Sequence, residues 1–345
     1  MSKILVIRLS SIGDVAMTIP VVYAAAEANP NDSFTVLTQN FLTPLFINRP
    51  PNIDLLGVST QSTEKSFFGF IRFALALGKY KFDMALDLHN VIRSRMVDII
   101  FRLKGKKVFV VDKRRRERKK LTARPPKVIQ PLRPVIERYA DVFHQAGFHF
   151  EDTFVPLFSA QPVDTDSLTV MFGKKTGQWI GIAPFAKHQG KIYPPAKMEQ
   201  VVKALSGQET LTVFLFGSAG KEEEILSRWT GKYKNTLNVA SRRYSFDKVL
   251  MLISMLDVHV SMDSANMHLA SLAGTDVISI WGATHPYAGF YGYRQRRDLA
   301  IQTGLPCRPC SMFGQKPCFR GDWACLNRIE PEQVINKIND YLKES

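Results

Sequence analysis

Short apolar runs of strand length recur along this chain, and most are followed by a longer stretch whose apolar residues fall three and four apart. In the first part these runs predict strands at Lys3 to Ile7, Ser33 to Thr38, Ile53 to Val58, Met84 to Leu88 and Lys107 to Val111. Helical patterns lie between several of them, and another runs from about Pro131 to Gln145. The polar stretch Ser159 to Asp166 contains a proline and reads as part of a linker. After it the alternation restarts with Trp179 to Ala183, Leu211 to Phe216, Val258 to Met262 and Val277 to Trp281. Strand and helix in alternation predict an α/β protein with mostly parallel, doubly wound sheets. The expected organisation is a first domain over 1–160, a second over 165–330, and a final helical run from Pro331 to Leu342 within 331–345.

Two strand-to-helix turns carry candidate chemistry. The strand Val258 to Met262 ends in Asp263 and Ser264; a helix starts at once, and His268 lies one turn into it. Carboxylate, hydroxyl, unpaired backbone N–H groups and imidazole therefore converge, the layout of a site for an anion and a ribose. The plainer reading makes Asp263 or Ser264 an N-cap and His268 a packing residue. At the N-terminus the first strand passes through Ser10-Ser-Ile-Gly13 to Asp14 and a helical run closed by Asn29-Pro30. Gly13 lets the chain turn tightly and places Asp14 at the carboxyl end of the strand, where open α/β sheets bind ligands. An N-cap is again the plainer reading.

Size, charge and cysteines narrow the classes. With 345 residues and 45% hydrophobic residues, two cores can be filled. No apolar run reaches the ~18–20 residues that cross a bilayer, and the N-terminal strand lacks the features of a signal peptide, so a cytoplasmic location is expected. Lys and Arg outnumber Asp and Glu by 46 to 31, a net charge of +15, which favours an anionic partner: nucleic acid, phosphorylated glycolipid or a membrane surface. The densest run is Lys113 to Lys120, followed by Arg124 and Lys127; a solvated loop is its bland reading. Cys307, Cys310, Cys318 and Cys325 are the four cysteines. Their spacing suits a tetrahedral structural zinc site, although the second Cys-x-x-Cys of a zinc ribbon is missing, and plain reduced thiols are the alternative.

Taken together, Arg-Leu-Ser-Ser-Ile-Gly-Asp-Val (8–15), Asp-Leu-His-Asn-Val-Ile-Arg-Ser (87–94), Lys-Ile-Tyr-Pro (191–194), Asp-Ser-Ala-Asn-Met-His-Leu-Ala (263–270) and Trp-Gly-Ala-Thr-His-Pro (281–286) resemble the family-9 glycosyltransferases. The best known members of that family are the ADP-heptose:lipopolysaccharide heptosyltransferases. The resemblance implies the GT-B architecture, two Rossmann-like domains facing across a cleft, with the last helix crossing back to brace the first. It implies an inverting transfer of heptose from ADP-heptose to an inner-core lipopolysaccharide sugar, with no cofactor and no catalytic metal. Asp14 matches the family's catalytic base. Lys191 matches the lysine near the donor phosphates, and Asp263, Ser264, Ala265 and His268 match the donor-binding turn, where many relatives have glycine in place of Ala265. Glu222 matches an acid that helps bind the nucleoside, with Glu223 and Glu224 as alternative registers and Tyr244 near the base-contacting segment.

For the acceptor, His89, Asn90 and Arg93 lie at a predicted strand end, with Arg8 beside the turn that bears Asp14. The basic run is expected to meet lipid phosphates or anionic headgroups on the inner face of the inner membrane. Other readings remain on the same residues. One keeps the family and changes the nucleotide sugar or the surface glycan. A nucleic-acid-binding protein would explain the charge, but the basic run has no interleaved aromatics and no recognised motif, so nucleic acid is not the expected partner. A dehydrogenase would need the three-glycine fingerprint, and Ser-Ser-Ile-Gly-Asp follows the first strand instead.

Overall fold

Parallel strands cannot be joined by tight hairpins, so each return needs a crossover, and here the crossovers are mostly helices. The computed structural model describes residues 1–59, 67–159 and 163–344. It divides into two units, Met1–Arg114 with Arg133–Val155, and Arg115–Leu132 with Pro156–Ser345.

The first unit holds the strands β1 (Lys3–Ile7), β2 (Ser33–Gln39), β3 (Ile53–Val58), β4 (Met84–Asp87) and β5 (Lys107–Val110). They form one parallel sheet in the order β3-β2-β1-β4-β5. The short helix α1 (Ile12–Ala16) and α2 (Ile19–Ala28) follow β1; α3 (Phe67–Ala76) and α4 (Ile92–Leu103) flank β4. One face of the sheet buries Leu5, Ile7 and Leu37 against Phe70 of α3 and Val97 and Phe101 of α4. Two further helices bracket the unit boundary: α5 (Arg115–Leu121), which falls in the second unit, and α6 (Val135–Gln145), which returns to the first. Phe143 of α6 packs on Phe34 of β2 with ring centres 6.1 Å apart.

In the second unit the strands are β6 (Gln178–Ala183), β7 (Leu211–Leu215), β8 (Thr236–Asn238), β9 (Val258–Met262), β10 (Val277–Trp281) and β11 (Ala300–Gln302). Their order is β11-β10-β9-β6-β7-β8, again parallel. The helices are α7 (Thr165–Phe172), α8 (Pro195–Ser206), α9 (Lys221–Lys232), α10 (Phe246–Ser254), α11 (Ala265–Ala273), α12 (Ala324–Asn327) and α13 (Pro331–Glu344). The central strands β9 and β10 are buried along their whole length, including the polar residues His259, Ser261 and Ser279 that they carry.

Several expectations change here. The edge strands β8 and β11, three residues each, were not foreseen. Residues 160–162 of the expected linker lie outside the described residues, and its last part is the start of α7, where the Asp164 carboxylate accepts the Ser167 N–H at 3.0 Å as an N-cap. Arg115–Leu132, expected in the first half, belongs to the second unit. Val334 and Ile338 of the final helix are buried in the second unit's core with Met198 and Val201 of α8. No helix among the described residues is long and apolar enough to cross a membrane.

Candidate functional site

Each sheet reverses its strand order at one place, and the loops leaving the two strands there diverge to opposite faces, opening a crevice at their carboxyl ends. In the first sheet that place is between β1 and β4; in the second it is between β6 and β9. The candidate residues fall at these two points.

After β1, Ser11 caps α1 and Asp14 occupies the third helical position. Asp14 Oδ2 accepts the Ser11 N–H at 3.2 Å and the Ser11 hydroxyl at 2.8 Å, the reciprocal arrangement of a capping box. Capping is not its only contact, because the Arg8 guanidinium lies 2.8 Å from the same oxygen. Arg8 also donates to the carbonyl of Leu88 at 2.7 Å, joining the loop after β1 to the loop after β4, and stands over the Tyr139 ring of α6. Burial disfavours the Arg8 charge, but the Asp14 charge and hydrogen bond, with Tyr139 and Asp87, together outweigh it, and its pKa is raised.

The loop after β4 is shaped by Asp87. One of its oxygens accepts the N–H groups of His89 and Asn90 at 2.7 and 2.8 Å, and the other accepts the Ser94 hydroxyl at 2.8 Å. Asn90 takes a left-handed conformation with φ 51°, and its side chain bridges the Val111 carbonyl and Arg95. Beneath the loop Asp98 of α4 is buried beside Asp87. Burial and the neighbouring Asp87 charge push the Asp98 carboxyl up to about 8, so it holds a proton at neutral pH and is hydrogen-bonded to Asp87. His89 is buried near Arg8 and Asp14; burial first, then the Arg8 charge, lowers its pKa to about 3. It therefore offers a neutral imidazole. Arg93 turns away to stand over the Phe70 ring, 6.0 Å from its centre, in contact with the first core. Arg8, Asp14, His89 and Asn90 thus share one switch point, and Arg93 is directed elsewhere.

At the second switch point the loop after β6 brings Lys191 to Asp263, which follows β9, with 2.8 Å between Nζ and Oδ2. Asp263 is thereby an ion-pair partner. Ser264 is the N-cap residue of α11, but its hydroxyl lies 3.2 Å from that of Ser261 and makes no side-chain cap bond. Ala265 opens the helix, and His268 is buried within it. Gly190, next to Lys191, has no room for a side chain: a Cβ there would come within 2.9 Å of Ala283 Cβ and 2.8 Å of the Gly314 carbonyl. The Lys191 loop is thus held by backbone contact with the segments after β10.

Other candidates are placed differently. Glu222 Oε2 accepts the Ser218 N–H at 2.7 Å and closes the turn after β7, while Tyr244 packs edge-on against Phe172. The basic helix α5 leans on the second unit through Arg118, which stands over Phe290 and Phe313. Lys127, farther along the same segment, donates to the carbonyls of Cys307 and Pro309. The four cysteines are free thiols. Among the described residues no three His, Cys, Asp or Glu side chains are grouped to hold a metal ion. Burial pushes the Cys325 thiol up to about 11 and raises that of Cys310, which disfavours thiolates in this arrangement. What organises the loop is Arg308, which sequence reasoning did not single out. It is buried and donates to the carbonyls of Trp281, Gly282, Thr284 and Thr303 and to Gln302 Oε1.

Each of the two units is a parallel α/β sheet whose strand order reverses once, a Rossmann-like arrangement. Residues 70–315 match the glycosyltransferase family 9 (heptosyltransferase), and the chain belongs to that family and is a glycosyltransferase. It is similar to the lipooligosaccharide heptosyltransferase 2 of Campylobacter jejuni, 23% identical over 337 residues covering 95% of each protein. Among solved structures it resembles the E. coli ADP-heptose lps heptosyltransferase II, with a TM-score of 0.70, 20% identity and 99% of each chain covered. The E. coli heptosyltransferase WaaC with ADP is similar at a TM-score of 0.69 and 18% identity, covering 98% of this chain and 99% of its own. The fold of these structures is the two-unit GT-B class expected from the sequence.

Proposed function

We propose that this chain is an inverting, metal-independent heptosyltransferase that moves a heptose from ADP-heptose to an inner-core sugar of lipopolysaccharide. The observation that carries the reading is the Lys191–Asp263 pair at the start of α11, an ammonium set beside the N–H groups of a helix terminus. The names of its relatives supply the sugar: one is an ADP-heptose lps heptosyltransferase, and another was solved with ADP.

In this reading the donor diphosphate lies along the N-terminus of α11. Lys191 answers its charge, His268 and Ser264 lie alongside, and Glu222 is on the nucleoside side. Asp14, oriented through Oδ2 by Arg8 and Ser11, takes the proton of the acceptor hydroxyl. The acceptor oxygen bonds to the anomeric carbon as that carbon's bond to the diphosphate oxygen breaks, and ADP departs with the bonding electrons. Neutral His89 and the Asn90 turn serve as hydrogen-bonding groups for the acceptor sugar. Cations and amides carry the leaving-group charge, and Asp164, one acid of the Asp164-Thr-Asp166 pair, caps α7. The acceptor is borne by lipid, so the protein works at the inner face of the inner membrane, with the cations near 113–120 facing phosphates.

Calorimetric titration with ADP, UDP, GDP and ADP-heptose tests the donor. Selective binding of ADP-heptose that is weakened by Lys191→Met is expected. Preference for another nucleotide would keep the family and change the sugar, and the absence of any binding would remove the reading.

A further inference from the structure

Helix α4 leaves the Asp87–Asn90 turn and presents to solvent a stripe that its own fold does not use. Ile92, Ile99 and Leu103 recur at i, i+7 and i+11, so they lie on one side of the helix, and they are 76, 55 and 82% exposed. Exposed Arg95 and Arg102 flank the stripe, and exposed Lys104 follows at the C-cap. The one acid of the helix, Asp98, is buried on the opposite side, where Ser94, Val97 and Phe101 face the core. A helix buried on one side only because it covers a sheet would carry polar residues on the other. Exposed isoleucine and leucine edged by cations alone have another fit: the apolar side chains enter the acyl boundary while the cations meet anionic headgroups.

We infer that the exposed face of α4 is the surface by which the protein docks on an anionic lipid membrane. Charge complementarity selects this occupant: the stripe has cations at its edges and no exposed acid in the helix, on a chain of net charge +15. The neighbouring helix α3, packed on α4, exposes Leu75 and extends the apolar surface. The inference deepens the proposed function and rests on it for the identity of the lipid-borne acceptor. A membrane under α4 would bring such an acceptor to the His89–Asn90 turn from which the helix starts. The basic run at 113–120 is then a second contact and not the principal one.

The test is co-sedimentation of the full chain with vesicles of phosphatidylcholine alone and of phosphatidylcholine mixed with phosphatidylglycerol. The parent chain is expected to bind the mixed vesicles and not the neutral ones. Arg102→Gln with Lys104→Gln should weaken binding roughly 30-fold, at about 1 kcal/mol for each cation near the surface. Ile99→Gln with Leu103→Gln, which keeps good helix formers at exposed sites, should weaken it by at least about tenfold through lost apolar burial. Circular dichroism and an unchanged ADP titration verify that both variants are folded. Vesicle binding unaffected by either pair of substitutions, or a parent chain that ignores anionic vesicles, would overturn the inference. So would a parent dimer in sedimentation velocity that Ile99→Gln with Leu103→Gln dissociates, since that assigns the face to a second copy. The ADP titration separates the two ideas: vesicle binding through α4 without nucleotide binding removes the functional reading and leaves the surface, and the reverse removes the surface.

Discussion

The two switch points carry the same kind of pair and present it in opposite senses. In both, a cation and a carboxylate approach to 2.8 Å at the carboxyl ends of the central strands. In the first unit the cation is the covered partner, with side-chain exposures of 9% for Arg8 and 24% for Asp14. In the second the carboxylate is covered, at 5% for Asp263 against 15% for Lys191. One unit thus offers solvent a carboxylate held by a buried guanidinium, and the other an ammonium held by a buried carboxylate. An open carboxylate and an open ammonium suit different partners, a neutral hydroxyl and an anion, so which member of the pair is buried decides what the device can meet.

The largest effect expected from breaking this asymmetry is on chemistry. Asp14→Asn keeps the shape and the hydrogen bond to Ser11 but removes the basic oxygen, and transfer should fall by about 10²–10⁴-fold in single-turnover assays. Full activity in that variant would remove Asp14 as the base. Stability should divide the pairs next: Asp14→Ala leaves the buried Arg8 guanidinium without its carboxylate and should cost about 3 kcal/mol in denaturant unfolding, whereas Asp263→Ala leaves only the more open Lys191 ammonium and should cost about 1 kcal/mol. Equal losses would show that the difference in burial has no energetic content. Lys191→Met should then weaken ADP binding by about ten- to thirtyfold and, because it leaves the buried Asp263 carboxylate unpaired, should also lower the melting temperature.

A pH dependence is expected from the floor of the first site. Asp98, with its pKa raised from 3.8 to about 8, keeps its proton in the fold while the unfolded chain releases it. Between roughly pH 4 and 8 the unfolded state therefore binds fewer protons, and this group lowers stability as pH rises. Asp98→Asn should flatten that slope, as read from urea titrations at both ends of the interval. A slope identical to that of the parent chain would place the proton elsewhere.

Much of this arrangement was legible before the structure. Short apolar-rich runs marked the central strands, Asp14 and Asp263 stood at strand ends where open sheets bind ligands, and Lys191, in a loop, was picked out by the family motif alone. The short edge strands β8 and β11 gave no comparable signal, since three residues hold no period. Membership of Arg115–Leu132 in the second unit depends on contacts far along the chain, such as Leu132 N–H to the Tyr287 carbonyl, which local pattern does not encode. Asp98 reads in sequence as an ordinary charge on a helix, and only its burial beside Asp87 makes it a proton holder. Arg308 was overshadowed by the cysteines on either side of it. Its role comes from the backbone carbonyls it gathers, and those leave no mark in residue identity.

The central claim is that the more open carboxylate of the first pair acts in chemistry and the more open ammonium of the second holds the donor. Calorimetric titration of ADP-heptose into Asp14→Asn and Lys191→Met, side by side, tests it most directly. The account predicts that Asp14→Asn binds the donor within about twofold of the parent chain while Lys191→Met binds at least about tenfold more weakly. Donor binding lost in Asp14→Asn and retained in Lys191→Met would contradict it.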